Sequence, residues 1–374
     1  MSGRVVLVGG FLGAGKTTLL LRAARQLERR GLKVGVVTND QGTQLVDTAL
    51  ARGASVPVME VTGGCFCCRF DELVNALHAE LTLGCQVVLA EPVGSCTDLL
   101  ATVVRPLQRM HPGLEVAPLS VLMDPTKDSS KLPEHIRYLY HQQLEEAELL
   151  VINKVDLLSY RAPEVLREVR AAHPASRCVP ISALTGEGVD AWLELVLGGT
   201  TAADRDLALD YDRYAAAEAA LGWLNCSGSL SADGPYKLKG WAERVLTSIG
   251  QAAQKRGAPV GHLKLYLQVA EAQYRASLLD APPEVQWDSS PGAHEVGASR
   301  FVLNARVGLE PDLLARIAQQ TLAAASAASG AKLAVEAVEC FAPSPPRPTY
   351  RLDVAGRSVL PIYPSTKPAE GQGR

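Results

Sequence analysis

The run Gly9-Gly10-Phe11-Leu12-Gly13-Ala14-Gly15-Lys16-Thr17-Thr18 sets glycines, a lysine and two hydroxyls directly after the apolar residues 5–8. Gly10-x-x-x-x-Gly15-Lys16-Thr17 between a strand and a helix has the make-up of a phosphate cradle. Glycines let the backbone turn its N–H groups inward, and the helix N-terminus adds its dipole and free amides. Gly10, Gly13, Ala14, Gly15 and Thr18 are therefore expected to bind a nucleotide. Lys16 contacts the β- and γ-phosphates and serves catalysis, while the Thr17 hydroxyl is offered to Mg²⁺.

A second set follows later strands. Asn153-Lys154-Val155-Asp156 comes directly after the apolar run Leu149-Leu150-Val151-Ile152. The Asp156 carboxylate can accept two hydrogen bonds from the N1–H and N2–H₂ of guanine. Adenine offers no such pair and leaves a buried acid unpaired, so GTP is expected over ATP. Lys154 can lie over the ring, Asn153 can tie this loop to the phosphate cradle, and Ser182-Ala183-Leu184 can pack the base from the other side. Glu91-Pro92-Val93-Gly94 ends another strand. Glu91 is the candidate catalytic acid, binding Mg²⁺ through water or orienting the attacking water. Asp40 and Asp47 flank Gln41-Gly42-Thr43, and one of them can reach the metal when that loop closes. Arg69 can neutralise phosphate charge or lie at the surface.

Gly63-Gly64-Cys65-Phe66-Cys67-Cys68 packs three thiols into four positions. The glycines leave the chain free to fold around an ion, and the helix that starts near Arg69 lowers thiol pKa values. Zn²⁺ and Co²⁺ both accept thiolates, often in tetrahedral geometry. Adjacent side chains diverge, so Cys65, Cys67 and Cys68 need not all hold one ion. Asp40, water or a second subunit can complete the sphere. The competing reading is a buried apolar corner with reactive cysteines. Cys85, Cys178, Cys226 and Cys340 are isolated. Cys96 stands apart because it follows Glu91 to Gly94. The 7 histidines are dispersed, which excludes a histidine-rich metal store, and His262 reads as structural, with contact to cargo as the alternative.

The elements that position these groups fall into two patterns. Residues 1–198 alternate strands (5–8, 34–38, 86–90, 116–123, 148–152) with helices (16–30, 73–83, 189–197). Apolar strands between amphipathic helices imply an α/β domain with a mostly parallel sheet covered on both faces. Residues 198–206 are a polar break and the linker candidate. Residues 212–340 read as a smaller α+β domain, with helices over 241–256 and 311–328 above an antiparallel sheet. Residues 341–374 form a Pro-rich tail that wraps the surface or makes an arm.

Composition bounds the function. A 374-residue chain that is 47% hydrophobic supports two cores. A net charge of −3 gives no footprint for nucleic acid or an anionic membrane. No signal peptide or membrane-spanning stretch is legible, so the expected compartment is cytoplasmic. The 8 cysteines are then reduced thiols rather than a disulfide framework.

At this point the chain resembles the CobW-like GTPases, related to the nickel-insertion GTPases of hydrogenase and urease maturation. The resemblance rests on Gly9 to Thr18, Asn39-Asp40 with Asp47, Gly63 to Cys68, Glu91 to Gly94, Asn153 to Asp156 and Ser182-Ala183. It implies a P-loop NTPase fold, Mg²⁺-dependent hydrolysis of GTP to GDP, and transition-metal binding at the thiols. It also implies delivery to a client metalloprotein or a cobalamin-related pathway protein, and nucleotide-dependent self-association such as a homodimer. The chain departs from the family form at Asp40, at Pro92, in residues 261–266 and in its Pro-rich tail. Two other readings stay open: a nucleotide-gated metal-binding scaffold with negligible turnover, and a small-molecule phosphotransferase.

Overall fold

The computed structural model describes residues 3–39, 57–278, 284–293 and 295–360. Its first half alternates β1 (Gly3–Gly10), α1 (Lys16–Arg29), β2 (Val34–Asn39), β3 (Val58–Val61), α2 (Phe70–Thr82) and β4 (Val87–Glu91). A π-helical turn, Leu100–Val104, runs into α3 (Arg105–Met110). Then come β5 (Leu114–Val116), β6 (Ser120–Met123), α4 (Glu134–Glu145), β7 (Leu149–Ile152), α5 (Ala162–Ala172), β8 (Arg177–Pro180) and α6 (Val189–Gly198). Among the described residues these strands make one parallel sheet in the order β3-β2-β4-β1-β6-β7-β8, with β5 beside the start of β1.

β1 shows why its sequence is apolar throughout rather than alternating. Val5 and Leu7 enter the core that also holds Leu73 of α2 and Leu139 of α4. Val6 and Val8 enter the opposite core, with Leu19 of α1 and Trp192 of α6. Both faces of the strand are covered, so both sets must be apolar. The single strand expected over 116–123 is two short strands here. Pro118 sits at the break and has no N–H to give to a ladder. β1 bridges the break, pairing with β5 through Gly3 to Val5 and with β6 through Val8 to Gly10.

The second half holds α7 (Tyr211–Ala219), β9 (Gly222–Lys237), α8 (Leu238–Gln254), β10 (Val260–Val269), β11 (Ala272–Leu278) and β12 (Val285–Ser289). It ends with β13 (Glu295–Val307), α9 (Pro311–Ala328) and β14 (Lys332–Phe341). The strands form a separate antiparallel sheet, β12-β11-β10-β13-β9-β14. α8 and α9 cover one face of it, joined by a bond from Trp241 Nε1 to Ser326 Oγ of 3.0 Å. The other face meets the first domain.

The polar stretch after α6 is packed down. The buried Arg105 guanidinium donates to the Ala203 and Arg205 carbonyls and to Asp206. α7 then packs on α4, and its Tyr214 and Ala217 join the core of the first domain. Residues 342–360 return to that domain as well. Among the described residues, no helix is long and apolar enough to cross a membrane.

Trp192 anchors α6. It is fully buried and donates from Nε1 to Ser120 Oγ at 3.0 Å. Trp192→Ala is expected to cost about 3–5 kcal/mol in urea unfolding, and Ser120→Ala about 1 kcal/mol. A Trp192→Ala loss no larger than that of Ser120→Ala would remove this core from the account.

Candidate functional site

The phosphate loop takes its shape from close approach. Gly10 has φ 129°, and a Cβ there would lie 2.5 Å from the Leu122 carbonyl oxygen of β6. Gly15 has φ 97°, and a Cβ there would lie 2.3 Å from Asn153 Nδ2. No other residue type fits either position. α1 begins at Lys16, whose Nζ donates to the Gly10 carbonyl at 2.9 Å. The Thr17 hydroxyl donates to Glu91 Oε1 at 3.1 Å, joining the start of α1 to the end of β4. Lys16, Thr17 and Glu91 are all buried.

Asn153 ties the two nucleotide loops together. Its Nδ2 donates to the Ala14 carbonyl at 2.7 Å and its Oδ1 accepts from Ala183 N at 2.9 Å. Lys154 adopts a left-handed backbone, φ 61°, and pairs with Asp124 at 2.6 Å. Gly13, Gly15, Lys16, Thr17, Thr18, Glu91, Asn153, Lys154, Asp156, Ala183 and Leu184 border one cavity of about 390 Å³. Gly10, Ala14 and Ser182 are buried and do not border it. The Ser182 hydroxyl accepts from Thr185 N at 3.0 Å and shapes the turn rather than the cavity.

The thiols form a second centre. Asn39 at the end of β2 donates from Nδ2 to the Val61 and Gly64 carbonyls, and its Oδ1 accepts from Phe66 N at 2.7 Å. That clasp and a turn through Cys68 N to Cys65 O fold the motif back on itself. The sulfur separations are 2.9 Å for Cys65 and Cys67, 3.1 Å for Cys65 and Cys68, and 3.8 Å for Cys67 and Cys68. This is the one cluster of potential metal-ligating side chains found among the described residues. Cys96 is 1% exposed, and contact with Cys65 and Cys67 pulls its pKa down to about 6. Contacts with Cys65 and Cys68 hold the Cys67 thiol well above its usual value, and Cys68 is pushed up to about 12.

The tail lies across these thiols. Arg347 N donates to Cys68 Sγ at 3.1 Å, and Thr349 N donates to the Cys67 carbonyl at 2.8 Å. Arg351 pairs with Asp98 at 2.6 Å. Arg69 turns away and donates to Glu72 Oε2 at 2.9 Å, both of them at the surface. Asp40 and Asp47 lie outside the described residues.

The segment after Gly94 links the two centres, and its supports carried no sequence signal. Gln143 donates to the Gly94 and Cys96 carbonyls at 3.1 and 2.8 Å. Glu146 accepts from Leu99 N at 2.6 Å, from Leu100 N and from Thr97 Oγ1. Asp124 and Lys127 were also missed. Lys127 Nζ donates to the Leu12 carbonyl at the loop tip. The signal for Asp124 was available: an acid directly after a strand of this sheet, like Glu91.

Burial, then the nearby Asp98 charge, pushes the Glu146 carboxyl from 4.5 to about 8. Its folded pKa is above the unfolded one. Its contribution to stability is therefore complete below about pH 4.5 and lost as pH rises through about 8. Urea stability of the native protein should fall between about pH 5 and about pH 9 more steeply than that of Glu146→Gln. Parallel pH profiles for the two proteins would contradict this.

Residues 4–179 match the family described as CobW/HypB/UreG, nucleotide-binding domain. The zinc chaperone YjiA of Escherichia coli is 43% identical over 74 residues, 20% of this chain and 23% of that protein. The zinc chaperone YeiR of Escherichia coli is 26% identical over 296 residues, 73% of this chain and 85% of that protein. The hydrogenase maturation factor HypB of Cupriavidus necator is 28% identical over 254 residues, 60% of this chain and 69% of that protein.

Proposed function

Through residues 4–179 this chain belongs to the CobW/HypB/UreG family, and we propose that it is a Mg²⁺-dependent GTPase that couples hydrolysis to transition-metal delivery. One observation carries the reading: a phosphate-loop cavity and a three-thiol cluster, two of its thiols buried, share the segment that follows Glu91.

GTP binds with its phosphates on Gly13 to Thr18 and its base between Lys154 and Ala183-Leu184. Asp156 reads the guanine edge. Lys16 exchanges the Gly10 carbonyl for the phosphates, where it offsets charge that develops on transfer. The oxygen pair of Thr17 and Glu91, 3.1 Å apart, is a hard donor set suited to Mg²⁺. Mg²⁺ held by Thr17 and Glu91 would supply neutralisation of phosphate charge. Glu91 orients the attacking water.

The cargo is a thiophilic divalent ion, Zn²⁺ or Co²⁺, held by Cys65, Cys67 and Cys68 as thiolates. Zn–S bonds of about 2.3 Å in a tetrahedron put sulfurs about 3.8 Å apart. Cys67 and Cys68 already have that separation, at 3.8 Å, and Cys65 needs to move by about 1 Å. The zinc chaperones YjiA and YeiR favour Zn²⁺. The recipient is a client metalloprotein or a cobalamin-related pathway protein, and a homodimer is the expected assembly. Residues 1–198 bind nucleotide and metal, 212–340 form the smaller domain, whose leading helix α7 packs back on the first domain, and 341–374 are the tail.

Turnover of GTP and ATP measured side by side tests the base assignment. GTP should be preferred at least about tenfold, and Asp156→Ala should erase the preference. Equal use of ATP by the native protein would contradict it. Changing Cys65, Cys67 and Cys68 together to Ser should abolish tight Zn²⁺ binding while nucleotide binding persists. Retained tight binding would place the metal elsewhere.

A further inference from the structure

We propose that the outer face of the second sheet is part of the nucleotide site, with Lys264 and Arg275 as phosphate ligands that clamp the second domain onto bound GTP. The proposal rests on the GTPase reading and adds to it residues outside the nucleotide-binding family match.

The register of β10 and β11 sets the face. Lys264 lies opposite Ser277, and Tyr266 lies opposite Arg275. Directly opposed residues of an antiparallel pair share a face. Lys264, Ser277, Tyr266 and Arg275 therefore point the same way, with His262 two residues before Lys264. The alternate residues Leu263, Leu265, Leu267, Ala276 and Leu278 fill the core under α8 and α9. His262, Lys264, Arg275 and Ser277 border the same cavity as Lys16, Thr17 and Asp156.

Two contacts orient the strands along that cavity. A Cβ on Gly261 would lie 2.6 Å from Leu12 Cδ1, so β10 starts against the tip of the phosphate loop. Arg275 also borders an adjoining groove with Thr18, Ala183 and Leu184, at the base end. β10 and β11 thus run the length of a bound nucleotide. Lys264 lies along its phosphates, and Arg275 lies toward the α-phosphate and ribose. Arg275 is 8% exposed. A guanidinium held there presents a planar fork matched to phosphate oxygens, and Lys264 supplies a point charge. Among the described residues 260–289, the one acid that borders the cavity is Glu284.

The same face is bolted to the segment after Glu91. Arg306 lies opposite His262 and is fully buried. It donates to Glu218 Oε2 at 3.1 Å and to Ser95 Oγ at 3.4 Å. Phosphate contacts at Lys264 and Arg275 therefore pull on a sheet already fixed beside Gly94.

The test measures binding of a non-hydrolysable GTP analogue to Lys264→Ala, Arg275→Ala and Arg275→Lys. Zn²⁺ affinity without nucleotide serves as the folding control. Each alanine variant should weaken analogue binding about tenfold to a hundredfold. Arg275→Lys should recover part of the loss, GTP should stay preferred over ATP, and Zn²⁺ affinity should be unchanged. Native analogue affinity in both alanine variants, alongside its loss in Lys16→Ala, would overturn the clamp and leave the GTPase reading standing. No analogue binding by the native protein would overturn both.

Discussion

Residues 94–98 run through the interior, so their backbone polar groups and those of the turn they enter must find partners without water. Gln143 and Glu146, at and just after the end of α4, supply many of them. That anchoring fixes both neighbours of the segment. On one side Glu91 meets Thr17 of the phosphate loop. On the other, Cys96 is pressed against Cys65 and Cys67. A movement of Gly94 toward a γ-phosphate is therefore a movement of the wall of the thiol pocket. Packed interiors switch between discrete arrangements rather than deform smoothly, which suits such a segment to two states.

The rest of the chain is arranged around this segment. Arg306 reaches it from the second sheet through Ser95. Tyr211 and Arg351 reach it from α7 and the tail through Asp98, which is buried with φ 63°. A non-glycine residue in the left-handed region stores strain, and here two partners on the carboxylate hold it. The tail continues over the thiols, where Arg347 N meets Cys68 Sγ. An amide hydrogen bond to a sulfur orients that thiol and tunes its basicity. Residues 347–351 of the Pro-rich ending are thus a strap across the thiols, held by Arg351.

What was legible in the sequence was local. Gly10 to Thr18, Cys65 to Cys68 and Asn153 to Asp156 carry their chemistry in short spacings, so they could be read without knowing the fold. The helix over 311–328 was equally plain, with Pro311 at its start. What was not legible depends on residues meeting across the chain. Arg351 and Asp98 are 253 positions apart, and Arg306 and Ser95 are 211 apart. Glu146 is one acid of the pair Glu145-Glu146, and only the fold shows that it is buried. Nothing local to His262 and Lys264 says that the polar face of their strand meets the cavity of the phosphate loop instead of solvent. Arg69 went the other way: a basic residue beside the thiols, spent on Glu72.

The central claim is that nucleotide and metal bias one buried segment. Thermodynamic linkage makes that claim quantitative, because each ligand must change the affinity of the other by the same factor. The direct measurement is an anaerobic Zn²⁺ titration of the protein loaded with a non-hydrolysable GTP analogue or with GDP, paired with analogue titrations with and without Zn²⁺. Zn²⁺ should bind tighter in the analogue-bound state, by about fivefold or more, with an equal gain in analogue affinity when Zn²⁺ is present. Identical Zn²⁺ affinities in the two nucleotide states would contradict it.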